Sequence, residues 1–318
     1  MPVDLLAFAL LAGVRIFVVG SLAGVGLSLT LRDAFAPLKD RAFVVRALVA
    51  SWVLGPAAAL LLLRIIPLER SYAAGLLLLS LAPCAPVAPA SMRKAQADPA
   101  YLAGFMLLSA VGTVAIMPLA VPRLIEGLTV DALAIARPLL MFACIPLLLG
   151  IGARSLDPAL AARAHAPVTR VANAAGALAL LLIALRLGRG VLDAIGSYAI
   201  ATEVLFIGGV TAAAHLLGSG LPAGRRHALT MGILTRNLGA ALAPLRAVEA
   251  DPRAMVMIAI AVPVTFGWAL LAARWLARPR SADSPFPSLE QFPDAGVSRQ
   301  VDRQRPEPLR AVGRRRER

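Results

Sequence analysis

Three prolines spaced three residues apart interrupt one apolar stretch of the chain. The run 75–82 (GLLLLSLA) is typical of the first half of a membrane-crossing helix, and Pro83, Pro86 and Pro89 follow it. Because each proline lacks a backbone N–H and clashes with the carbonyl four residues earlier, a regular helix cannot continue through 83–89. Freed backbone groups are tolerated at membrane depth only inside protein or beside a wet cavity. We therefore expect a binding site here rather than a kinked helix, formed by Pro83, Cys84, Ala85 and Pro86.

A polar triplet interrupts a second apolar stretch far downstream. Thr235, Arg236 and Asn237 lie at the centre of the stretch 229–247. An arginine at the middle of a membrane helix costs about 2.5–3.5 kcal/mol on insertion scales, so it should face a cavity or a partner. We expect these three side chains to contact a substrate.

A carboxylate also lies within an apolar stretch, at Glu203 in 198–206. Buried acidic residues in membrane spans are rare and usually have a partner. Arg236 is the other charge expected deep in the membrane, so Glu203 is predicted either to pair with Arg236 or to bind a proton.

The composition indicates an integral membrane protein. Hydrophobic residues make up 59% of the 318 residues and charged residues 16%, against about 25% charged in soluble domains. The net charge of +14 does not indicate nucleic-acid binding, because the basic residues cluster at span ends and in the tail. The scattered histidines and two cysteines fit no cofactor, metal site or catalytic group, so we expect neither an enzyme nor a cofactor.

We predict an all-α protein of about nine transmembrane helices. Fourteen Lys and Arg fall in the odd connections and the start of the tail, against eight in the even connections. This bias predicts an inner (plasma) membrane protein with the amino terminus outside and the carboxyl terminus in the cytoplasm. The tail 278–318 is polar and basic, so we expect it to be disordered. The spans are about 5–30, 42–66, 72–92, 100–123, 132–153, 168–187, 192–217, 226–245 and 254–277.

The two interrupted spans occupy corresponding places. The third span is central in the triplet of spans two to four, and the eighth in the triplet of spans seven to nine. These triplets enter the membrane from opposite sides, as inverted repeats do. Interrupted spans in matching positions of two halves point to a transporter's binding site near the midplane. Ser109 in the fourth span is predicted to pack or to bond backbone, and Thr265 in the ninth only to pack. Asn173 lies near one end of the sixth span, which is expected to belong to a scaffold facing lipid.

Three motifs resemble the bile acid:sodium symporter family. They are 26–33 (GLSLTLRD), 75–83 (GLLLLSLAP) and 235–242 (TRNLGAAL), and the likeness runs over about 5–277. It implies two discontinuous helices that cross in a core domain, which moves against a panel domain to give alternating access. The implied panel domain is 1–31 and 131–188, and the implied core domain is 42–124 and 190–277.

The chain departs from this family at the sodium sites. The resemblance implies Ser and Asn sodium ligands in the first break, hydroxyl ligands on the next helix, and an acidic residue four positions before a Gln-Asn pair. Aliphatic and thioether groups cannot supply the oxygen ligands that a hard cation requires. The corresponding residues here are Ala88, Pro89, Leu102, Met106, Gly232 and, for the Gln, Arg236.

These observations favour a secondary transporter of a small organic anion that is not coupled to sodium. In this hypothesis Arg236 replaces the coupling cation, and transport is uniport, exchange or proton-coupled through Glu203. One alternative is an exporter of the auxin-carrier or arsenite-efflux type, for which Cys84 is the candidate ligand. Another is a membrane sensor or scaffold that has lost transport.

Overall fold

The computed structural model describes residues 5–85, 89–126, 128, 131–242, 244–247 and 252–277. The expectations for Pro86, for Ala88 and for the tail after residue 277 therefore fall outside the described residues. The helices are α1 Leu5–Leu27, α2 Leu31–Lys39, α3 Arg41–Val49, α4 Gly55–Ile65, α5 Arg70–Leu81, α6 Pro89–Lys94, α7 Pro99–Leu124, α8 Ala132–Leu139, α9 Ile145–Leu156, α10 Pro158–Asp193, α11 Ala199–Leu217, α12 Ala223–Leu234, α13 Leu238–Leu242 and α14 Pro252–Leu276.

Seven stretches of the described residues are long and apolar enough to cross a membrane. The prediction of an all-α membrane protein is confirmed. The remaining two predicted spans, the third and the eighth, are divided into α5 with α6 and α12 with α13. The seven stretches are Phe8–Leu27, Arg41–Ile65, Pro99–Leu124, Ala136–Leu156, Pro158–Leu185, Ala199–Leu217 and Pro252–Leu276.

Two of the predicted spans have different ends in the structure. The sixth was expected at 168–187, but α10 runs for 36 residues from Pro158, with the side chain of Asp157 accepting from the N–H groups of Ala159 and Leu160. Proline at the first helical position after an aspartate cap is a strong start signal. The seventh was expected from 192, but α10 continues to Asp193 and α11 begins after Tyr198, which has φ 65°.

The amino-terminal helix packs in a layer with α9 and α10. Small residues let the backbones approach closely. A Cβ added to Gly26 would lie 2.3 Å from the carbonyl oxygen of Leu147 and 2.9 Å from the Cα of Gly150. Ala172 of α10 makes a similarly close contact with Gly20 of α1, since a Cβ added to Gly20 would lie 2.8 Å from the Ala172 Cβ. The layer α1/α9/α10 is therefore tightly joined along its length.

The interrupted helices belong to a second packed group. α5 packs against α14 and α4, while α12 packs against α11 and α7. Between α3 and α4 the chain makes a π-helical turn, Ala50–Leu54, directly before Gly55 and Pro56. A second π turn, Leu140–Cys144, precedes Pro146. Such turns often occur at functional positions, and the first one lies beside the crossing described next.

Candidate functional site

The two helix interruptions meet in the interior of the protein. The N–H of Asn237 donates to the carbonyl oxygen of Pro83 at 2.8 Å, and the N–H of Ala85 donates to the carbonyl oxygen of Thr235 at 3.3 Å. Between them, Cys84 and Arg236 form an antiparallel bridge. The backbone groups that each break frees are thus satisfied by the other break, as groups buried in a membrane protein must be.

Hydroxyl groups complete this backbone pairing. The Thr235 hydroxyl donates to the carbonyl oxygen of Ala85 at 3.2 Å. The N–H of Cys84 donates to the Ser109 hydroxyl on α7 at 3.1 Å, which is the backbone-bonding role expected for a hydroxyl in that span. The thiol of Cys84 contacts the carbonyl oxygen of Ala85 at 3.3 Å. Thr235 and Cys84, one from each interrupted segment, therefore both stabilise the crossing.

The Arg236 guanidinium lies inside the protein, with 5% of the residue exposed. Its Nη1 donates to the carbonyl oxygen of Ala82 at 3.1 Å, at the carboxyl end of α5. A positive charge at a helix carboxyl end is favourable, because it faces the negative end of the helix dipole. The Nη2 group occupies the space left by Gly55, where an added Cβ would lie 2.9 Å from it.

Two nitrogens of Arg236 remain without a hydrogen bond. Nε and Nη2 are both buried and have no partner among the described residues. A buried donor without an acceptor costs about 1–3 kcal/mol, and more for a charged group. Within the described part of the chain, the guanidinium is therefore held by a single hydrogen bond, which Nη1 donates.

The expected hydrogen-bonded pair between Glu203 and Arg236 is not formed. Glu203 is fully buried on α11, and neither of its carboxylate oxygens has a hydrogen-bond partner among the described residues. The guanidinium bonds the Ala82 carbonyl instead, since the proline that follows Ala82 leaves that end of α5 open.

A cavity of about 410 Å³ opens beside the crossing. Its walls are α1, α10, α14 and residues 235–239, and most of the lining is apolar. This volume lies in the range of small-molecule sites, about 300–1,000 Å³. The polar residues of the lining are Ser91, Asn173, Thr235, Arg236, Asn237 and Thr265.

The cavity lining includes some of the predicted substrate-contacting residues. Ala85, Thr235, Arg236 and Asn237 line the cavity. Pro83 and Cys84 are buried in the crossing and are not among the described residues of the lining. Asn237 also begins α13, since its Oδ1 accepts from the N–H of Ala240 at 3.2 Å.

Two lining residues, Asn173 and Thr265, were not expected to contact a ligand. Asn173 comes from α10 and Thr265 from α14. The sequence did carry a signal for Asn173, which is an amide within a Leu- and Ala-rich span. Thr265 had none, because only the packing of α14 shows which of its faces meets the cavity.

One end of α10 packs directly against α14. An added Cβ on Gly190 would lie 2.8 Å from the Cγ2 of Val256, so the backbone of α10 touches the side chain from α14. Other residues of the same two helices, within 173–183 and 261–269, line the cavity.

The fold and the site together define a membrane transporter. Two interrupted helices that meet beside a cavity are characteristic of secondary transporters. Residues 16–194 match the model of the Sodium Bile acid symporter family, which is more than half of the chain. The chain belongs to that family and is a multi-pass membrane protein. Comparison with curated proteins gave no match. Glu203 and Arg236 lie beyond the matched residues.

Proposed function

We propose that this protein is a secondary transporter of a small organic anion, which works by alternating access without sodium coupling. The observation that carries this proposal is the buried guanidinium of Arg236 at the crossing, where two interrupted helices form the wall of a cavity. No metal-binding cluster of three or more His, Cys, Asp or Glu occurs in the described part of the chain.

The lining of the cavity favours an amphipathic anion. Apolar side chains of α1 and α10, including Val14, Phe17 and Leu180, would contact the body of the substrate. The polar residues 235–237 would contact its charged group. No described carboxylate hydrogen-bonds Arg236, and a charge acts strongly through a medium of low dielectric. The charge of Arg236 therefore favours an anion in the cavity next to it.

The side chains at the family's sodium positions support transport without sodium. Leu102 is 1% exposed and Met106 4% exposed, so both are packed into the interior. Gly232 contacts the ring of Phe105, since an added Cβ would lie 2.5 Å from a ring carbon. None of these side chains offers an oxygen to a cation, which hard cations require.

The packing of the helices suggests how the site would alternate. We propose that residues 1–31 and 131–188 form a panel domain and that residues 42–124 and 190–277 form a core domain that moves against it. From the charge bias of the connections we infer that the protein lies in the inner (plasma) membrane, with the amino terminus outside and the tail 278–318 in the cytoplasm.

Transport by purified protein in liposomes tests the proposal. A thermal-shift screen with carboxylates and steroid conjugates would first select ligands, and the uptake of each labelled ligand would then be measured with sodium or with choline outside. We expect saturable uptake that is the same with either cation and is strongly reduced in R236Q. Uptake that depends strongly on sodium would contradict the proposal, as would R236Q transporting like the wild type.

The same assay addresses the alternatives. A sensor or scaffold would bind ligand without any flux across the liposome membrane. A metalloid exporter would need the thiol of Cys84, which is engaged within the crossing. If the protein confers metalloid resistance and a C84A variant keeps it, Cys84 is not the ligand.

A further inference from the structure

Glu203 is a buried acid without a hydrogen bond. Both carboxylate oxygens lie in the interior and have no partner among the described residues. The residue lies on the first turns of α11, which packs against α4, α12, α14 and the π turn 50–54. An ionised carboxylate in such surroundings is very unfavourable unless it is paired. A neutral carboxyl is favoured in such surroundings.

The helix that carries Glu203 and the guanidinium of Arg236 meet the same part of the chain. The helix α11 packs against the π turn 50–54 and α4, and an added Cβ on Gly55, the first residue of α4, would lie 2.9 Å from Nη2 of Arg236. The other ionisable residues on the elements packed against α11 lie near the ends of their helices. They are Arg64 of α4, Arg225, Arg226 and His227 of α12, and Arg253 and Arg274 of α14.

Glu203 and Arg236 offer acceptors and donors that match but are not hydrogen-bonded to each other. Glu203 offers Oε1 and Oε2, and Arg236 offers Nε–H and Nη2–H. An arginine fork and a carboxylate pair through two parallel hydrogen bonds of this kind. In this structure the guanidinium is held elsewhere, by the bond from Nη1 to the Ala82 carbonyl.

We propose that Glu203 is a proton-binding site of the transport cycle, and that Arg236 exchanges the Ala82 carbonyl for the Glu203 carboxylate when the proton leaves. This inference rests on the proposed function and adds the coupling ion to it. The O–H bond of the Glu203 carboxyl breaks, the proton passes to water, and the electron pair stays on the carboxylate. Nε and Nη2 of Arg236 then donate to Oε1 and Oε2.

The exchange would couple the proton to the anion. With Glu203 protonated, the charge of Arg236 is uncompensated and favours an anion in the cavity. With Glu203 ionised and paired, the same charge is neutralised and the anion is held less well. Because such coupling is reciprocal, a bound anion also favours the proton on Glu203. Proton and anion would therefore cross the membrane together.

Infrared spectroscopy tests the proton on Glu203 without any ligand. The purified protein in detergent at neutral pH is compared with E203Q, and with D193N as a control that removes one exposed carboxylate. We expect a protonated-carboxyl stretching band in the wild type and in D193N, and its loss in E203Q. A wild-type spectrum without that band, or an E203Q spectrum that keeps it, would overturn the proposal. Size-exclusion profiles check that each variant is folded.

A second experiment tests the coupling with taurocholate in liposomes that contain a pH-sensitive dye. Its sulfonate stays ionised, so it cannot itself carry a proton through the lipid. We expect uptake by the wild type and D193N to acidify the lumen, and E203Q to exchange taurocholate without acidification.

The two experiments separate failure of the coupling from failure of the function. Taurocholate uptake by the wild type without acidification would overturn the proton coupling but leave the transport function standing. If the wild type transports no taurocholate and no other ligand from the screen, the proposed function fails. The infrared band then still decides whether Glu203 holds a proton.

Discussion

The two arginines at opposite ends of α12 have very different surroundings. Arg225, in the first turn, is 39% exposed in its side chain, and its Nη1 donates to Asp40 at 2.8 Å. Its guanidinium also lies over the ring of Tyr101, 4.6 Å from the centroid. Arg236, just beyond the last turn, is buried and bonds one uncharged carbonyl oxygen.

The difference separates a charge that its partners stabilise from one that we propose acts on the substrate. Arg225 has a carboxylate and an aromatic ring as partners, in a place that water reaches, so its charge costs little. Such exposed pairs contribute only about 0–1 kcal/mol to stability. Arg236 keeps two unbonded nitrogens in the interior, where stability alone would favour an apolar residue. An arrangement this unfavourable supports the proposed role of Arg236 in binding an anion.

The largest expected effect comes from removing each guanidinium in turn. R236Q should weaken anion binding by about 2–3 kcal/mol, roughly 30- to 150-fold, because it removes the buried charge beside the cavity. R225Q should change binding by less than about 1 kcal/mol, since its pair is at the surface. Ligand-induced shifts of melting temperature, measured across ligand concentrations, give both values. Equal effects of the two variants would contradict the comparison.

A methyl group at Gly55 tests how closely Arg236 is positioned. In G55A the added carbon would lie 2.8 Å from the carbonyl oxygen of Ser80 and 2.9 Å from Nη2 of Arg236. We expect a loss of about 1–3 kcal/mol in stability, as overpacked sites show, together with weaker anion binding. G152A is the matched control, because nothing lies within 4 Å of its added carbon. Thermal melts in detergent compare the two.

Removing the cap of α13 should lower stability by a smaller amount and should still reduce transport, because the cap belongs to the site. N237A removes the acceptor of the Ala240 N–H and should lower stability by about 1 kcal/mol, as lost caps do. T30A removes the equivalent cap of α2, where the Thr30 hydroxyl accepts from the N–H of Asp33. Both variants should melt earlier, but only N237A should transport less. Unimpaired transport by N237A would remove Asn237 from the site.

The smallest expected effect is a pH-dependent loss of stability when Asp40, the partner of Arg225, is replaced. Burial raises the pKa of Asp40. Hydrogen bonds from Phe43, Tyr101 and Arg225, together with the charge of Arg225, lower this pKa by more than burial raises it, so the net shift is downward. An acid whose folded pKa is depressed stabilises the fold above its unfolded pKa, and this contribution is lost as the pH falls through the folded pKa. D40N should therefore melt earlier than the wild type at pH 7, with a difference that shrinks below about pH 4. A difference that does not change with pH would mean that the Asp40 charge is unimportant.

The break points were predictable from sequence because local chemistry determines them. Three prolines stop a helix wherever it lies, and an arginine in an apolar span requires an interior partner. The choice of partner was not predictable. Glu203 was the evident counter-charge for Arg236, but the acceptor is the carbonyl of Ala82, a group that every residue carries. Which carbonyl oxygen is available to Arg236 depends on how α5 and α12 cross. That crossing is set by tertiary packing, which the local sequence does not show.

The contact of Gly190 with Val256 restricts the residue that can stand at position 190. A side chain there would meet the Cγ2 of Val256, 2.8 Å from the first added carbon, so G190L would push α10 away from α14. Both residues belong to the proposed core domain, so this variant would loosen the core itself and would not act between the two domains.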